Sequence, residues 1–279
     1  MLAMKICCGI VTYNPKISLL KKNILAIKDQ VSEIFIVDNG SINLNEIILL
    51  IKKFKSINLI NNKKNMGIAY ALNQLCLTAV NRKYDWILTL DQDSVCPPKF
   101  VYSLSRFISQ NIGIVAPIIV DRNVGIIGHE PTNKPQEVRT CITSGALTNL
   151  NAWKQINGFD ENMFIDSVDF EYCYRLRKSG FKILQVPNVK LAHSIGNAKK
   201  CQFLFWKFID TEHSAFRAYY IAQNNIYYPK KHNLILRLLR GNFRNLKYVF
   251  IVLVYEKNKR EKVRAIFKGW KRGYTLSAK

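Results

Sequence analysis

Asp91-Gln92-Asp93 sets two carboxylates one residue apart, directly after the apolar run Trp86-Ile87-Leu88-Thr89-Leu90 and directly before Ser94. An apolar strand that empties into two acids and then meets Pro97-Pro98 presents hard oxygen ligands at its carboxyl end, where open α/β sheets bind their ligands. Carboxylate oxygens there suit a divalent cation, and the cation would in turn suit a diphosphate. A solvated turn at a strand end reads the same way, because two acids within three residues arise often by chance.

The three preceding apolar runs end in comparable groups. Thr12, Tyr13 and Asn14 close the run from Lys5 and offer a hydroxyl, a stacking ring and an amide. Asp38 closes Glu33 to Val37, where a carboxylate could accept from a base or a ribose. Asn65-Met66-Gly67 follows Ile57 to Ile60, with a glycine that lets a ligand approach the backbone just before a helix N-terminus. Each taken singly is ordinary turn chemistry. Four successive strand ends that all carry such groups are harder to assign to turns alone.

A second acidic cluster spans Asn157 to Arg175. With a helix beginning near Val168, Asp169 falls in the first turn, where the helix dipole favours its ionised form, and Glu171 points about 200° away around the axis. An ionised carboxylate can accept a proton, although acids in a first helical turn also serve simply to stabilise the helix. His193 follows a later strand; it is either a structural histidine or an imidazole ligand to a Mn2+-like ion.

The elements that must position these groups alternate β with α. Helical spacing places Ile17, Leu20, Ile24 and Ile27 on one face, and Asn43 to Phe54 and Ile68 to Val80 are the next two helices. Four β-then-α units in about ninety residues predict a mostly parallel sheet with helices on both faces. Beyond it, Gly113 to Val120 reads as a strand, Asp121 to Thr140 as loops and short hairpins, and Cys141 to Leu150 as a further apolar segment with Ser144-Gly145 at its centre. Ala152 to Ile156 and Val168 to Ser179 read as helices, and Lys182 to Val186 as a strand stopped by Pro187. From about Phe203 the pattern reads as helical, aromatic and basic.

The 279 residues carry a formal net charge of +23, and residues 196 to 279 hold 19 Lys/Arg against 4 Asp/Glu. Such a tail suits a polyanion: nucleic acid, an anionic membrane surface or a phosphorylated substrate. Met1 to Val11 lacks the pattern of a secretory signal, and no window reaches the roughly 18 to 20 apolar residues of a membrane span. Seven cysteines without a C-x-x-C pair fit a reducing cytoplasm.

In order, VTYNP, IVDNGS, NMGIAYALNQ, LTLDQDS, TSGALTNL, GFDENMFIDSVDFEYCYRLRKSGFKI and the late His193 resemble family 2 glycosyltransferases of GT-A fold, in particular their rhamnosyltransferase-like branch. The resemblance covers residues 5 to 196, and FRAYYIAQNNIYY and GWKRGYTL resemble that branch's tail. It implies a GT-A, Rossmann-like α/β domain over residues 1–200 and a basic, aromatic helical extension over 201–279 packed on it and facing a membrane.

The resemblance further implies that Thr12, Tyr13, Asn14, Asp38, Asn65 and Gly67 cradle a nucleoside diphosphate, and that Asp91 and Asp93, with His193, hold Mg2+ or Mn2+ on it. Ser144 and Gly145 would line the sugar and acceptor pocket, and Asp169 would be the base. The expected donor is dTDP-L-rhamnose, with a UDP-linked hexose or galactofuranose as the alternative. The expected acceptor is a lipid-linked saccharide in bacterial O-antigen or other surface polysaccharide assembly. The enzyme would be cytoplasmic and peripheral on the inner face of the membrane, where Trp206, Phe208, Trp270 and Tyr274 meet the interface; no nucleic-acid partner is expected.

Two departures stand out. Val168 replaces the acid that usually precedes the catalytic aspartate, which leaves Asp166 and Glu171 as fallback bases. The Q-x-x-R-W motif of processive synthases is missing, which points to transfer of a single sugar. A nucleotidyltransferase would need a Gly-rich basic loop near the first strand, unlike Thr12-Tyr13-Asn14-Pro15. A nucleic-acid-binding protein would not gather its candidate ligands at strand ends, away from the basic tail.

Overall fold

The computed structural model describes residues 4–121, 125–192, 199–203, 206–210 and 212–277. The chain divides into two compact units, Met1–Asn162 with Asp169–Ser194, and Met163–Val168 with Ile195–Lys279.

The first unit opens with β1 (Ile6–Thr12), α1 (Ile17–Ile27), β2 (Ile34–Asp38), α2 (Leu44–Ile51), β3 (Ile57–Asn61), α3 (Ile68–Asn81) and β4 (Trp86–Asp91). These four strands pair in parallel, in the order β3-β2-β1-β4. Cys7, Cys8 and Ile10 of β1 and every residue of β2 are buried, as strands covered on both faces require. Leu20, Ile24 and Ile27 are the buried face of α1, in agreement with the helical spacing of the sequence.

The second half of the sheet is mixed. After α4 (Phe100–Ser105) come β5 (Ile112–Asp121), β6 (Gly125–Ile127), β7 (Gln136–Glu137), β8 (Ala146–Asn149), α5 (Leu150–Gln155), α6 (Val168–Lys178) and β9 (Lys182–Ala192). Strand β8 lies antiparallel between β4 and β5, while β9 runs parallel to β5. Asn149 ends β8 and caps α5, its side chain accepting from the N–H groups of Asn151 and Ala152.

Pro187 does not end β9, contrary to the sequence expectation. The pairing with β5 shifts register between Ala116 and Ile118 and resumes from Ile118 opposite Lys190 to Val120 opposite Ala192, so the proline sits at an irregularity in the ladder.

In the second unit, β10 (Lys199–Phe203) and β11 (Trp206–Asp210) form an antiparallel pair, which corrects the expectation of helix from Phe203 onward. Helical structure starts at α7 (Ala215–Lys231) and continues through α8 (Ile235–Tyr255) and α9 (Lys259–Thr275). Gly241 and Gly269 are points of close helix approach. A Cβ on Gly241 would collide with the Asn225 carbonyl of α7, and one on Gly269 with the Tyr219 carbonyl.

The segment Met163–Val168 belongs to this helical unit because α7 holds it. Asn224 Nδ2 donates to the carbonyls of Ile165 and Asp166 at 2.8 Å each, Phe164 stacks on Tyr220 at 4.7 Å, and Arg217 forks onto the Asp166 carboxylate. Asp166 and Ser167 adopt positive φ angles of 66° and 59°, a conformation these bonds keep in place.

Candidate active site

The loops after β1, β2, β3 and β4 are bonded to one another. Thr12 Oγ1 donates to Asp38 Oδ1 at 3.0 Å, and Ser41 donates to Asp38 through both its hydroxyl and its N–H. Asp38 and Thr12 are fully buried. Their side chains therefore shape the floor of the loop cluster, whereas Tyr13 and Asn14 are exposed at its rim. Asn14 closes the link by donating its N–H to Ser41 and accepting from the Ile42 N–H.

Asn39, which sequence reasoning passed over, organises the next loop. It donates to Asn65 Oδ1 at 3.0 Å and to the Gly67 carbonyl at 3.1 Å, and it accepts from the Met66 N–H at 3.0 Å. Gly67 has φ 91°, and it presents α3 with no side chain in the way of a ligand. Gly40, at φ 83°, passes so close to Lys64 that a Cβ would lie 2.6 Å from that residue's carbonyl carbon. The only sequence signal for this joint is the run Asp38-Asn39-Gly40-Ser41, which reads as a turn until the loop opposite is known.

Asp91 and Asp93 sit at the carboxyl end of β4, Asp91 half-buried and Asp93 exposed. The Asp91 backbone is fastened on both sides: its N–H donates to Ser144 Oγ at 3.2 Å, and its carbonyl accepts from Asn23 Nδ2 at 2.7 Å. Gln92, between the two acids, accepts the Tyr13 N–H at 2.8 Å and ties the acidic loop to the one after β1. Ser144 and Gly145 were expected to line the sugar pocket. Both are buried, with the Ser144 hydroxyl engaged by Asp91 and by Ser94 at 2.8 Å. Thr143 and Ala146 on either side face a cavity instead.

That cavity, about 190 Å³ with its open mouth included, is lined by Asp169, Tyr172 and Cys173 of α6 and by Cys141, Thr143, Ala146 and Thr148. A larger cleft of about 500 Å³, mouth included, shares Cys141 and Ile142 with it and is walled by Pro117, His129, Thr140, Phe170 and Gln185. Asp169 is half-buried. The Cys141 thiol is pushed well up by its hydrogen bond with Cys173, by burial and by charge on Cys173 and Asp169, so it stays protonated.

Neither fallback base shares this setting. Glu171 is fully buried in a bidentate ion pair with Arg175, whose other arm reaches the Ile156 carbonyl. Asp166 is forked by Arg217 within the helical unit. Of the three carboxylates weighed as bases, Asp169 alone lines the cavity. His193 lies outside the described residues. Among the described residues no three His, Cys, Asp or Glu side chains gather as a metal cage. Two carboxylates at a strand end nevertheless match the way Mg2+ is usually held, by one or two acids together with substrate phosphates.

A parallel sheet whose loops meet at one edge and whose fourth strand ends in an acidic pair, followed by a mixed half that carries a cavity with a single carboxylate, is the layout of the GT-A fold. The chain belongs to glycosyl transferase family 2, whose sequence model matches residues 7–165. It is 28% identical over 272 residues to dTDP-rhamnosyl transferase RfbF of Shigella flexneri, covering 90% of this chain and 89% of that protein. In structure it resembles S. aureus TarS residues 1–349, with a TM-score of 0.58 at 12% identity over 97% of this chain and 81% of that one. The same protein in complex with UDP gives a TM-score of 0.55, again at 12% identity, over 98% of this chain and 73% of that one.

Proposed function

We propose that this enzyme transfers a single L-rhamnose, with inversion, from dTDP-L-rhamnose to a lipid-linked saccharide. The reaction would take place on the cytoplasmic face of the membrane during assembly of bacterial O-antigen or another surface polysaccharide. Asp169 carries the reading: of the three candidate bases it is the one that lines the cavity. Support for the sugar comes from the dTDP-rhamnosyl transferase relative, aligned over nearly the whole length of both chains.

In this mechanism the donor nucleotide lies across the loops of β1 to β3, with Tyr13 and Asn14 at the rim and Gly67 beneath the phosphates. Asp91 and Asp93 would hold Mg2+ or Mn2+ on the diphosphate, and the cation supplies charge neutralisation for the leaving group, a contribution of several kcal/mol. The acceptor hydroxyl gives its proton to Asp169 Oδ and attacks the anomeric carbon opposite the departing dTDP. The C–O bond to phosphate breaks as the new glycosidic bond forms. Direct displacement of this kind inverts the anomeric centre and needs no covalent nucleophile. The cleft beside Phe170 and His129 offers the acceptor a mostly apolar wall.

A thermal-shift screen of dTDP-L-rhamnose against UDP-linked hexoses and UDP-galactofuranose, each with Mg2+, Mn2+ or chelator, tests the donor. A larger stabilisation by the rhamnose donor, dependent on the metal, is expected. No shift with any nucleotide sugar would overturn the reading. NMR of the product from an accepting saccharide then reports whether the anomeric configuration has inverted.

A further inference from the structure

The cleft beside Phe170 has no fixed charge. No Lys, Arg, Asp or Glu lines it, although the chain carries 42 Lys and Arg. Its apolar walls are Pro117, Ile119, Ile127, Val138, Ile142 and Phe170, and its polar side chains are His129, Thr140, Gln185 and the Cys141 thiol. Gln185 is engaged at both ends. It is 6% exposed, its Oε1 accepts from Gln136 Nε2 at 2.7 Å, and its Nε2 donates to the His129 carbonyl at 3.4 Å. Gln136 Nε2 also donates to the Glu130 carbonyl at 2.6 Å, so the backbone that carries His129 is tied to both β7 and β9.

The His129 ring is only half engaged. Its Nε2 lies 3.4 Å from Thr140 Oγ1, and its Nδ1 has no hydrogen-bond partner among the described residues. If Thr140 donates to Nε2, Nδ1 carries the ring proton and donates; if Nε2 donates, Nδ1 accepts. A hydroxyl can take either role, so a sugar hydroxyl fits both tautomers. An apolar wall with a few convergent polar groups also suits the C–H face of a sugar ring. An acyl chain would bury Nδ1 without a partner, which is unfavourable. A carboxylate would find no Lys or Arg in the wall and would have Asp169 for a neighbour. The Phe170 N–H donates to Asp169 Oδ1 at 2.9 Å, and the cleft shares Cys141 and Ile142 with the cavity that Asp169 lines.

We propose that this cleft is the acceptor subsite and that it selects an uncharged sugar, with the C–H face of the ring against Pro117 and Phe170 and a ring hydroxyl hydrogen-bonded to His129 Nδ1. The reacting hydroxyl then points past Cys141 and Ile142 toward Asp169. A uronic acid is rejected, because its carboxylate loses water without a cation to replace it and lies beside the Asp169 carboxylate. The proposal rests on the transferase reading above and adds the class of acceptor sugar and the side chain that recognises it.

The test is a titration of the full-length protein, labelled with 15N in its histidine rings, at pH 8, above the ordinary titration range of imidazole. The probes are the methyl glycosides of glucose, galactose, N-acetylglucosamine, rhamnose and glucuronic acid. His129→Leu identifies the His129 signals by their loss. At least one uncharged glycoside should shift the His129 Nδ1 signal saturably, and the glucuronide should bind about tenfold more weakly or worse. Phe170→Ala, at a position that is 42% exposed, should weaken the uncharged glycoside by about fivefold, with chemical denaturation checking the fold. No response of His129 to any uncharged glycoside, equal binding of the glucuronide, or an unchanged affinity in Phe170→Ala overturns the proposal. Thermal shifts with dTDP-L-rhamnose and Mg2+ on the same samples report the donor site separately. Donor binding without a glycoside response sinks the acceptor subsite alone; a glycoside response without a shift from any nucleotide sugar sinks the transferase reading instead.

Discussion

The Gln92 side chain accepts the backbone N–H of Tyr13 at 2.8 Å, which couples the middle residue of Asp91-Gln92-Asp93 to the loop after β1. The acids on either side thus lie on a loop braced by Gln92 in one direction and by Ser144 in the other. The proposed metal-diphosphate site would require such bracing, because a small displacement of its carboxylates would be felt directly by the phosphates.

Gln92→Ala leaves the Tyr13 N–H to water and both loops less constrained. A net hydrogen bond is worth about 1 kcal/mol, so donor KM should rise roughly fivefold while kcat changes less. Initial rates against donor concentration at saturating Mg2+ check this. An unchanged KM would mean that the tie is incidental.

Asp169→Asn and Glu171→Gln should fail in different ways, although the residues are two apart. The first removes the proposed base and should lower kcat by about 10²- to 10⁴-fold with nucleotide-induced stabilisation intact. The second takes the counter-charge from the largely buried Arg175 guanidinium and should destabilise folding by about 3 kcal/mol. Chemical denaturation and turnover measured on both variants separate the two roles; Asp169→Asn with near wild-type turnover would remove Asp169 from the chemistry.

Tyr172 is 1% exposed, and its hydroxyl has no hydrogen-bond partner among the described residues. Tyr172→Phe deletes an unsatisfied group and keeps the ring stacked on Phe159, whose centroid lies 4.1 Å away. Its melting temperature should equal or exceed that of wild type. A fall of several degrees would reveal a partner for the hydroxyl, such as a bound water in the cavity.

The buried thiols predict an alkaline limit to stability. Burial raises Cys7, Cys8 and Cys76 above the ordinary thiol value of 9.0 and pushes Cys96 up to about 12. These protons are held in the folded chain while the unfolded chain releases them near pH 9, so the stabilisation is complete below pH 9 and is lost as pH rises toward 12. The denaturant midpoint should fall between pH 8 and pH 10.5. At pH 8 these four thiols should resist iodoacetamide in the native protein and react once it is unfolded.

Much of the first unit was legible because its signals are local. Apolar runs ending in Thr12, Asp38, Asn61 and Asp91 become parallel strands almost residue for residue. The turn residues after them fall together at one edge because a parallel sheet puts all its strand C-termini on one side. Pro187 misled for the opposite reason: whether a proline ends a strand depends on what its neighbour does, and β5 absorbs it through a register shift. The β10–β11 pair was missed because aromatic, basic residues suit either a helix or a hairpin, and pairing across the chain chose the hairpin.

The residue types and their order, taken alone, determined the class of enzyme, the parallel strands and the edge where their loops and the acidic pair gather, since these follow from short-range pattern. Tertiary structure decided which groups are drawn into loop joints and ion pairs and which face the cavity. Asp38 is spent on Thr12 and Ser41, Ser144 on Asp91, Glu171 on Arg175 and Asp166 on Arg217, while Asp169 reaches the cavity. It also decided which face of α8 is buried against α7 and which stays exposed. The reason is the same in each case: partners far apart in the chain compete for a polar or apolar group, and only the fold sets which of them comes within reach.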